Sequence, residues 1–416
     1  MSASEPARMS ERAQALYEAI AEMEVIDCHE HLGPEQGRLD AKVDVFTLFQ
    51  HYTGADLRLA GMSEAQHNSV LNRDIPLERR WDMFEPFWER IRWDSYARAA
   101  LIAAKRFFGA EDISRETYVD ISEKIQAHNT PGLYERVLGE ACNIRKALCC
   151  GHTTQLGNPR LLPLIYVLKG FDTWGDLTRM AFNPAEPVRT LDDVLDNMRV
   201  ELKRIKADGA VGIKMISSPY GPPSREEAAS AFARLRDGTE QSLPEVNPLR
   251  DYITDETIRF AAEQDMVIAV HTGYWGDFRQ LDPLHMIPLI QRHPSARFDI
   301  YHLGYPWVRE ALMLGKGFPN VWLNLCWTHI ISQRFAMAAL AEAIDLLPTN
   351  KLLAFGGDYH LPVEKVYGHL VMAREDVARV LAERVEEGQM TESQALGIAR
   401  QWFFDNAVEL YRLKGL

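Results

Sequence analysis

The chain has 416 residues, of which 46% are hydrophobic, and its formal net charge at pH 7 is −13. This length and composition are typical of a soluble globular protein with a large core, built as one large barrel or as two to three ordinary domains. The negative charge argues against a nucleic acid or an anionic membrane as the main partner, so a small molecule is the favoured ligand.

Cysteine usage and the start of the chain bear on the cellular compartment. The five cysteines are scattered without C-x-x-C spacing, which favours reduced thiols over disulfides (Cys28, Cys142, Cys149, Cys150 and Cys326). The first 22 residues contain no apolar segment of the signal-peptide type, and no run of about 18 apolar residues occurs anywhere. These features together predict a cytoplasmic enzyme.

The first predicted elements are a helix over about 10–22 and a strand over 24–28 that leads into His29 and His31. Side chains two positions apart on a strand point to the same face, so these two imidazoles can bind one metal ion. An H-x-H motif also arises by chance among 13 histidines. The remaining ligands must therefore come from elsewhere in the chain.

Residues 35 to about 141 are helical in pattern and rich in aromatic side chains. A segment of this length is more than a loop, and it predicts a lid or subdomain over the end of the first strand. Arg90, Arg92 and Asp94 within it could reach a substrate, or they could form a solvated helical face. The aromatic, helical insertion is compatible with a homo-oligomer.

From about residue 144 onward, short apolar runs alternate with helical patterns. With 24–28, the predicted strands are 144–150, 161–168, 210–216, 266–271, 297–302, 320–325 and 351–358. The helices between and after them are predicted at 191–207, 225–236, 255–264, 283–292, 307–315, 334–346, 364–386 and 391–413. Eight strands alternating with helices predict a (β/α)₈ TIM barrel in the α/β class, forming one domain over 1–416 with the insertion at about 35–141.

Chemically reactive side chains recur at the predicted strand ends, which is where this fold places catalytic residues. After His29 and His31 come Lys214 near the end of strand 4, His271 and His302 at the ends of strands 5 and 6, and Asp358 at the end of strand 8. A lone histidine on an apolar strand is usually a hydrogen-bonded core residue. Four of them in step with the barrel, followed by an aspartate, instead predict a divalent metal site.

This set, in this order, resembles the amidohydrolase superfamily. The segments Val-His-Thr-Gly-Tyr at 270–274, His-Leu-Gly-Tyr-Pro at 302–306 and Gly-Gly-Asp-Tyr-His at 356–360 resemble its amidohydrolase 2 branch. That branch is similar to uronate isomerases, to decarboxylases such as aminocarboxymuconate semialdehyde decarboxylase, and to the amidohydrolase-like region of some glutamine synthetase-like proteins. The last resemblance is nearest, over 210–385, while the insertion resembles the family only loosely.

The resemblance implies roles for these residues. His29, His31, His271 and Asp358 would bind one or two divalent ions, with Zn²⁺ favoured, and His302 would be a further ligand or a catalytic residue. Asp358 would also transfer the proton of an activated water molecule. Lys214 would be a carboxylated bridge between two metals, an ammonium that binds substrate anions, or a structural lysine.

The weaker candidates are histidines and aromatic residues that follow strand ends, together with two arginines that lie elsewhere. Tyr274, Trp275, His360 and Arg92 are predicted substrate contacts, and Tyr220, His329 and Arg160 are alternatives of the same kind. Each could equally be a packing or solvated residue. Gly356 and Gly357 are interpreted as a tight turn before Asp358, and Cys28 and Cys326 as unreactive thiols.

The expected function is hydrolysis of an amide, a lactone or a related C–N or C–O bond in a small polar molecule. A decarboxylase or a uronate-type isomerase is the alternative, because both reaction classes can use the same metal-binding residues. A non-catalytic metal-binding protein is the third hypothesis, which the complete ligand set disfavours.

Overall fold

The structure is a computed structural model that describes residues 9–167, 171–179 and 187–415. Within these residues, eight parallel strands pair in chain order from β1 to β8. The strands are β1 (Val25–Glu30), β2 (Ile144–Gly151), β3 (Leu161–Tyr166), β4 (Gly212–Ile216), β5 (Val267–His271), β6 (Phe298–Tyr301), β7 (Val321–Asn324) and β8 (Leu352–Leu353). The predicted (β/α)₈ barrel is confirmed, and only residue 168 of the predicted third strand lies outside the described chain.

The barrel closes through the segment that follows β8. Strand β8 is only two residues long, and Asp358 lies five residues beyond it. The intervening chain nevertheless pairs with β1, because the Cys28 N–H donates to the Phe355 carbonyl at 3.0 Å and the Asp358 N–H donates to the His29 carbonyl at 2.8 Å. A further bond at 3.0 Å runs from the His31 N–H to the Tyr359 carbonyl. This pairing places Asp358 beside the two histidines of the first strand.

Helices surround the barrel and account for most of the remaining chain. They are α1 (Glu11–Ala21), α2 (Glu35–Leu39), α3 (Thr53–Leu59), α4 (Glu64–Leu71), α5 (Leu77–Ile91), α6 (Ser95–Phe108), α7 (Tyr118–His128), α8 (Trp174–Arg179), α9 (Leu191–Ala207), α10 (Arg225–Arg236), α11 (Pro248–Glu263), α12 (Ile287–Arg292), α13 (Val308–Gly317), α14 (Thr328–Ile331), α15 (Gln333–Leu346), α16 (Glu364–Glu386), α17 (Glu392–Arg400) and α18 (Asn406–Tyr411). Helix α11 begins seven residues earlier than predicted because the Asn247 side chain caps it and Pro248 occupies its first turn. Among the described helices, none is both long and apolar enough to cross a membrane.

The insertion between β1 and β2 comprises α2 to α7 and has a hydrophobic core of its own. Phe46, Trp81, Phe84 and Trp88 are buried at its centre. Buried aromatic clusters of this size contribute strongly to stability, so the insertion can hold its shape while resting on the barrel. Its helix α6 packs against α16, and this contact fixes the insertion over the carboxyl end of the barrel.

Candidate metal centre and active site

The centre of the site is formed by two imidazoles and one carboxylate at the carboxyl end of the barrel. The Nε2 atoms of His29 and His31 each lie 3.2 Å from Oδ1 of Asp358. One potential ligand atom from each residue falls within 4.8 Å of the others. His29 and Asp358 are buried, whereas His31 is partly exposed. The i and i+2 spacing of the histidines therefore does place both side chains on one face.

Two glycines allow the Asp358 segment to lie directly against the first strand. A Cβ atom on Gly356 would come within 2.5 Å of the Cys326 Cβ, and one on Gly357 would come within 1.9 Å of Glu30 Oε1. The structure has no turn over residues 354–359, which pair with β1 instead, so the predicted tight turn is wrong. The glycines serve close approach instead.

Several residues at the barrel mouth have a strained backbone. His51, His302, Trp327 and Asp358 are not glycines, yet their φ values are 70°, 63°, 64° and 63°. Positive φ is unfavourable for side chains other than glycine and clusters at functional sites, where the surrounding structure maintains it. The backbone strain thus indicates a functional site at this end of the barrel, by an argument separate from the histidine pattern.

The insertion contributes a phenol to the centre. The Tyr52 hydroxyl donates a short hydrogen bond to Asp358 Oδ2. The neighbouring His51 ring lies 4.7 Å from the ring of His360, and the His360 ring stacks on His31 at 4.4 Å. The two oxygens of Asp358 therefore differ in environment, because Oδ1 faces imidazoles and Oδ2 faces a proton donor.

The other strand-end residues adjoin this centre. His302 Nε2 lies 2.9 Å from His271 Nδ1, and His302 Nδ1 lies 3.1 Å from the Cys326 carbonyl. Lys214 is buried, with its Nζ 3.5 Å from His29 Nε2 and 3.7 Å from the centroid of the Tyr301 ring. Within the described chain, no carboxylate lies within ion-pair distance of Lys214.

Burial determines the charge state of these groups. It lowers the pKa of His29 and of His302 well below the usual value, and the pKa of His271 to about 3. These imidazoles are therefore neutral at pH 7, which is the form that binds metals. Burial alone would raise the pKa of Asp358, but His29 and His31 outweigh it and hold that pKa well below its usual value. Asp358 is therefore ionised.

Two buried carboxyl groups lie behind the centre and join β1 to the Asp358 segment. Asp27 accepts hydrogen bonds from the N–H groups of His29 and Gly357, both at 3.2 Å, and Glu30 accepts one from the Tyr359 N–H at 2.7 Å. Burial raises the pKa of Asp27 to about 7 and that of Glu30 well above its usual value. The two carboxyl groups lie within hydrogen-bonding distance of each other, so one proton held between them relieves their repulsion.

The residues present fit a divalent metal ion. Asp358 Oδ1 and His271 Nε2 are buried and have no hydrogen-bond partner in the described part of the chain. A buried polar atom without a partner is costly, and a cation held by His29, His31 and Asp358 would satisfy Asp358 Oδ1. Neutral imidazoles with one carboxylate are the ligand set of catalytic zinc sites. His29, His31 and Asp358 would hold the ion, with His271 adjacent.

Three of the predicted substrate contacts lie near this centre. Trp275 is exposed, with its ring 5.4 Å from that of His271, and His360 stacks on His31. Tyr274 stacks on Trp327 at 6.1 Å, and Trp327 in turn contacts the ring of His302. These positions are compatible with the predicted roles, which remain predictions.

Arg92 does not join the centre. Its guanidinium forms ion pairs with Asp112 at 2.6 Å and Glu89 at 2.8 Å, so two carboxylates of the insertion already bind the group predicted to contact a substrate. Among the weaker candidates, Arg160 pairs with Glu135 and donates to the Ile144 carbonyl. His329 is buried between Asp376 and the Ala354 carbonyl, and Tyr220 donates to the Ile216 carbonyl.

Sequence reasoning missed Tyr52, His51 and Trp327. Tyr52 is 306 positions away from the aspartate that it contacts, and neither periodicity nor strand position sets it apart from other aromatic residues of the insertion. The thiol of Cys326 was expected to lack a basic partner, yet its Sγ lies 3.4 Å from His302 Nδ1. Burial raises the pKa of that thiol well above its usual value, so the predicted lack of thiolate reactivity is retained.

The chain matches one family model, which is described as Amidohydrolase, over residues 179–413. A curated relative is protein fluG of Emericella nidulans, which is 28% identical over 206 residues that cover 47% of this chain. The match covers 24% of fluG itself, so this chain spans only a fraction of the length of that relative.

Two solved structures resemble the fold over nearly the whole chain. A glucuronate isomerase from Caulobacter crescentus superimposes with a TM-score of 0.81 at 17% identity, covering 100% of this chain and 96% of the other. A protein of Lactobacillus casei ATCC 334, named for an inferred metal-dependent hydrolase activity, superimposes with a TM-score of 0.66 at 18% identity, covering 95% and 97% of the two chains. At these identities the likeness establishes the fold alone.

Proposed function

Because the chain belongs to the amidohydrolase family, we propose that it is a metal-dependent hydrolase of a small polar molecule. The bond cleaved would be an amide, a lactone or a related C–N or C–O bond. The fold is that of the metal-dependent enzymes of the superfamily, and the reaction is our inference from the geometry of the site.

The observation that carries the proposal is that the two carboxylate oxygens of Asp358 have different neighbours. Oδ1 lies 3.2 Å from both His29 and His31, at the point where a cation would share the three ligands. Oδ2 accepts a hydrogen bond from the Tyr52 hydroxyl. One carboxylate is thus placed to hold an ion through one oxygen and to exchange a proton through the other.

A divalent metal ion supplies Lewis acidity when bound and lowers the pKa of a water molecule toward about 7. Asp358 is ionised and can accept a proton at Oδ2, and Tyr52 orients that oxygen. His271 and His302 are neutral and lie one and two strands beyond Lys214. Both ring nitrogens of His302 already have partners, whereas His271 Nε2 has none within the described chain and is available to a polar group of the substrate. Lys214 places a positive charge on the same side, where negative charge would develop on the substrate.

Isomerisation or decarboxylation is the second candidate, and the Tyr52 contact favours it. A phenol and a carboxylate in direct contact can pass a proton between neighbouring substrate atoms without consuming water. The glucuronate isomerase has a comparable fold over the full length of this chain, including the insertion, although that likeness does not extend to its reaction.

The source of the oxygen in the product separates these functions. The metal-loaded enzyme would be incubated in H₂¹⁸O with panels of small amides, lactones, hydroxy acids and aldoses, and the products would be analysed by mass spectrometry. Hydrolysis predicts one ¹⁸O atom in the product of turnover. A product of unchanged mass in ordinary water that gains deuterium in D₂O would establish isomerisation, and loss of CO₂ would establish decarboxylation. Either result would overturn the hydrolase proposal.

A further inference from the structure

A cavity opens at the barrel mouth, between the insertion and the loops that follow β5, β6 and β7. Its volume is about 470 Å³, which is enough for a small organic group. Its walls include Asp56, Trp93, Asp94, Tyr96, Tyr274 and Tyr305. Trp93 is 85% exposed and Tyr274 is 44% exposed, so the cavity presents large aromatic surfaces to solvent.

A continuous layer of stacked rings connects this cavity to Asp358. Tyr52, which hydrogen-bonds to Asp358, stacks on Trp327 at 4.6 Å and on Tyr96 at 5.5 Å. Trp327 in turn stacks on Tyr274 at 6.1 Å. Tyr96 and Tyr274 are themselves cavity walls. Contacting rings therefore run without a break from the cavity walls to Tyr52, whose hydroxyl contacts Asp358.

The charged groups of the cavity are all of one sign. Its described lining contains two carboxylates, Asp56 and Asp94, and no lysine, arginine or histidine. Burial, followed by repulsion from Asp94, raises the pKa of Asp56 to about 6. Arg92 lies beside Trp93, with its guanidinium 5.6 Å from the indole centroid, but Asp112 and Glu89 already neutralise it. The buried Lys365 partly opposes the rise in the pKa of Asp56, but it does not line the cavity. An anion placed here would therefore meet two carboxylates and no cation among the described lining residues.

We propose that this cavity, which we call the aromatic subsite, binds a cationic ammonium-bearing portion of the substrate. Aromatic faces attract cations through their quadrupole, and carboxylates at the rim add direct attraction. The aromatic subsite thereby deepens the proposed function, on which it rests only for the statement that the bound molecule is the substrate. The substrate class becomes amides, lactones or related compounds that carry a distal amine.

The test uses three probes of matched shape, because the substrate itself is unidentified. These are 2-phenylethylamine, which is a cation at neutral pH, the neutral 2-phenylethanol and the anion 3-phenylpropanoate. Their dissociation constants on the metal-loaded enzyme would be measured by calorimetry. We expect the amine to bind about tenfold more tightly than the alcohol, and the carboxylate to bind most weakly.

Substitutions separate the electrostatic part of this binding from the aromatic part. Asp56→Asn combined with Asp94→Asn should remove most of the preference for the amine over the alcohol. Trp93→Ala should weaken both probes. The matched controls are Asp196→Asn, which removes an exposed carboxylate of α9, and Leu59→Ala, which removes a side chain that is 81% exposed but does not line the cavity. Both controls should bind the probes as the original protein does.

Two outcomes would overturn the aromatic subsite. One is binding of the alcohol or the carboxylate as tightly as the amine, and the other is an equal effect of the control variants. Repeating the titration on the His29→Ala, His31→Ala variant keeps this inference distinct from the proposed function. If the amine still binds that variant and the original protein shows no hydrolysis, the subsite stands and the hydrolase proposal fails. If hydrolysis occurs but the amine neither binds nor competes with substrate, the subsite proposal alone fails.

Discussion

Asp358 combines two tasks that a substitution can separate. Asparagine keeps the size and one oxygen for a metal ion but cannot take up a proton. We therefore expect Asp358→Asn to keep much of its bound metal while kcat falls by about 10²- to 10⁴-fold, the usual worth of general acid–base catalysis. Metal content and turnover should be measured on the same preparation. Activity that falls only in proportion to the metal lost would show that Asp358 merely holds the cation.

Lys365 is a fully buried cation outside the metal centre. Its Nζ donates to Thr53 Oγ1 at 3.0 Å, and burial lowers its pKa from 10.5 to about 7, against a smaller opposing effect of Asp56. Between about pH 7 and pH 10.5 the unfolded chain therefore binds a proton that the folded chain does not. The contribution of this group to stability thus rises with pH across that window and is lowest below pH 7.

We expect Lys365→Met to raise the melting temperature most at pH 6, with the gain shrinking steadily toward pH 10. Thermal denaturation at several pH values measures this difference, and the exposed Lys203→Met serves as the control that should show no such trend. If the difference in melting temperature between Lys365→Met and the original protein does not vary with pH, the lowered pKa of Lys365 is contradicted.

At the scale of elements, the insertion takes part in the site as well as covering it. Removal of the Tyr52 hydroxyl deletes a hydrogen bond to an ionised carboxylate, an interaction worth about 1.5–3 kcal/mol. We expect Tyr52→Phe to lower kcat/KM by about 10- to 100-fold with metal binding retained. Tyr118→Phe alters a tyrosine of the insertion's own core and should leave activity unchanged. Near-normal turnover of Tyr52→Phe would show that the insertion covers the site without taking part in the reaction.

A buried ion pair fastens the insertion to α16. Arg38 Nη2 lies 2.8 Å from Glu364 Oε1, and both side chains are 1% exposed. Replacing one partner leaves the other charge buried alone, so we expect Arg38→Met to lower the free energy of unfolding by about 3–5 kcal/mol. The double variant with Glu364→Gln should recover part of that loss. Urea denaturation of the original protein, Arg38→Met, Glu364→Gln and the double variant measures the coupling, and strictly additive effects would exclude it.

For the whole molecule, metal binding and folding should be linked. A ligand that binds only the folded state at 100 times its Kd stabilises it by about 2.7 kcal/mol. We therefore expect the purified protein to hold about one equivalent of divalent metal, and removal by a chelator to lower its melting temperature. The His29→Ala, His31→Ala variant should lose most of the metal, and its melting temperature should not change when the chelator is added. A metal-free preparation with full activity would contradict the proposed function.

Much of the fold could be predicted because it depends on local patterns. Buried strands are nearly continuous apolar runs, and amphipathic helices repeat every 3.6 residues, so each element can be recognised by itself. Histidines and an aspartate at strand ends could then be grouped, since the parallel barrel brings all carboxyl ends of its strands to one side. Asp358 was placed correctly at that end even though β8 proved to be only two residues long.

The sequence by itself determined the barrel and the side of it on which His29, His31, His271, His302 and Asp358 lie. Only the tertiary structure decided that Tyr52 meets Asp358, that Arg92 is bound by Asp112 and Glu89, and that Trp327 links the centre to a cavity lined by carboxylates. The physical reason is that these contacts join segments without a shared period. They depend on how an insertion with its own core docks on the barrel, and no local pattern encodes that docking.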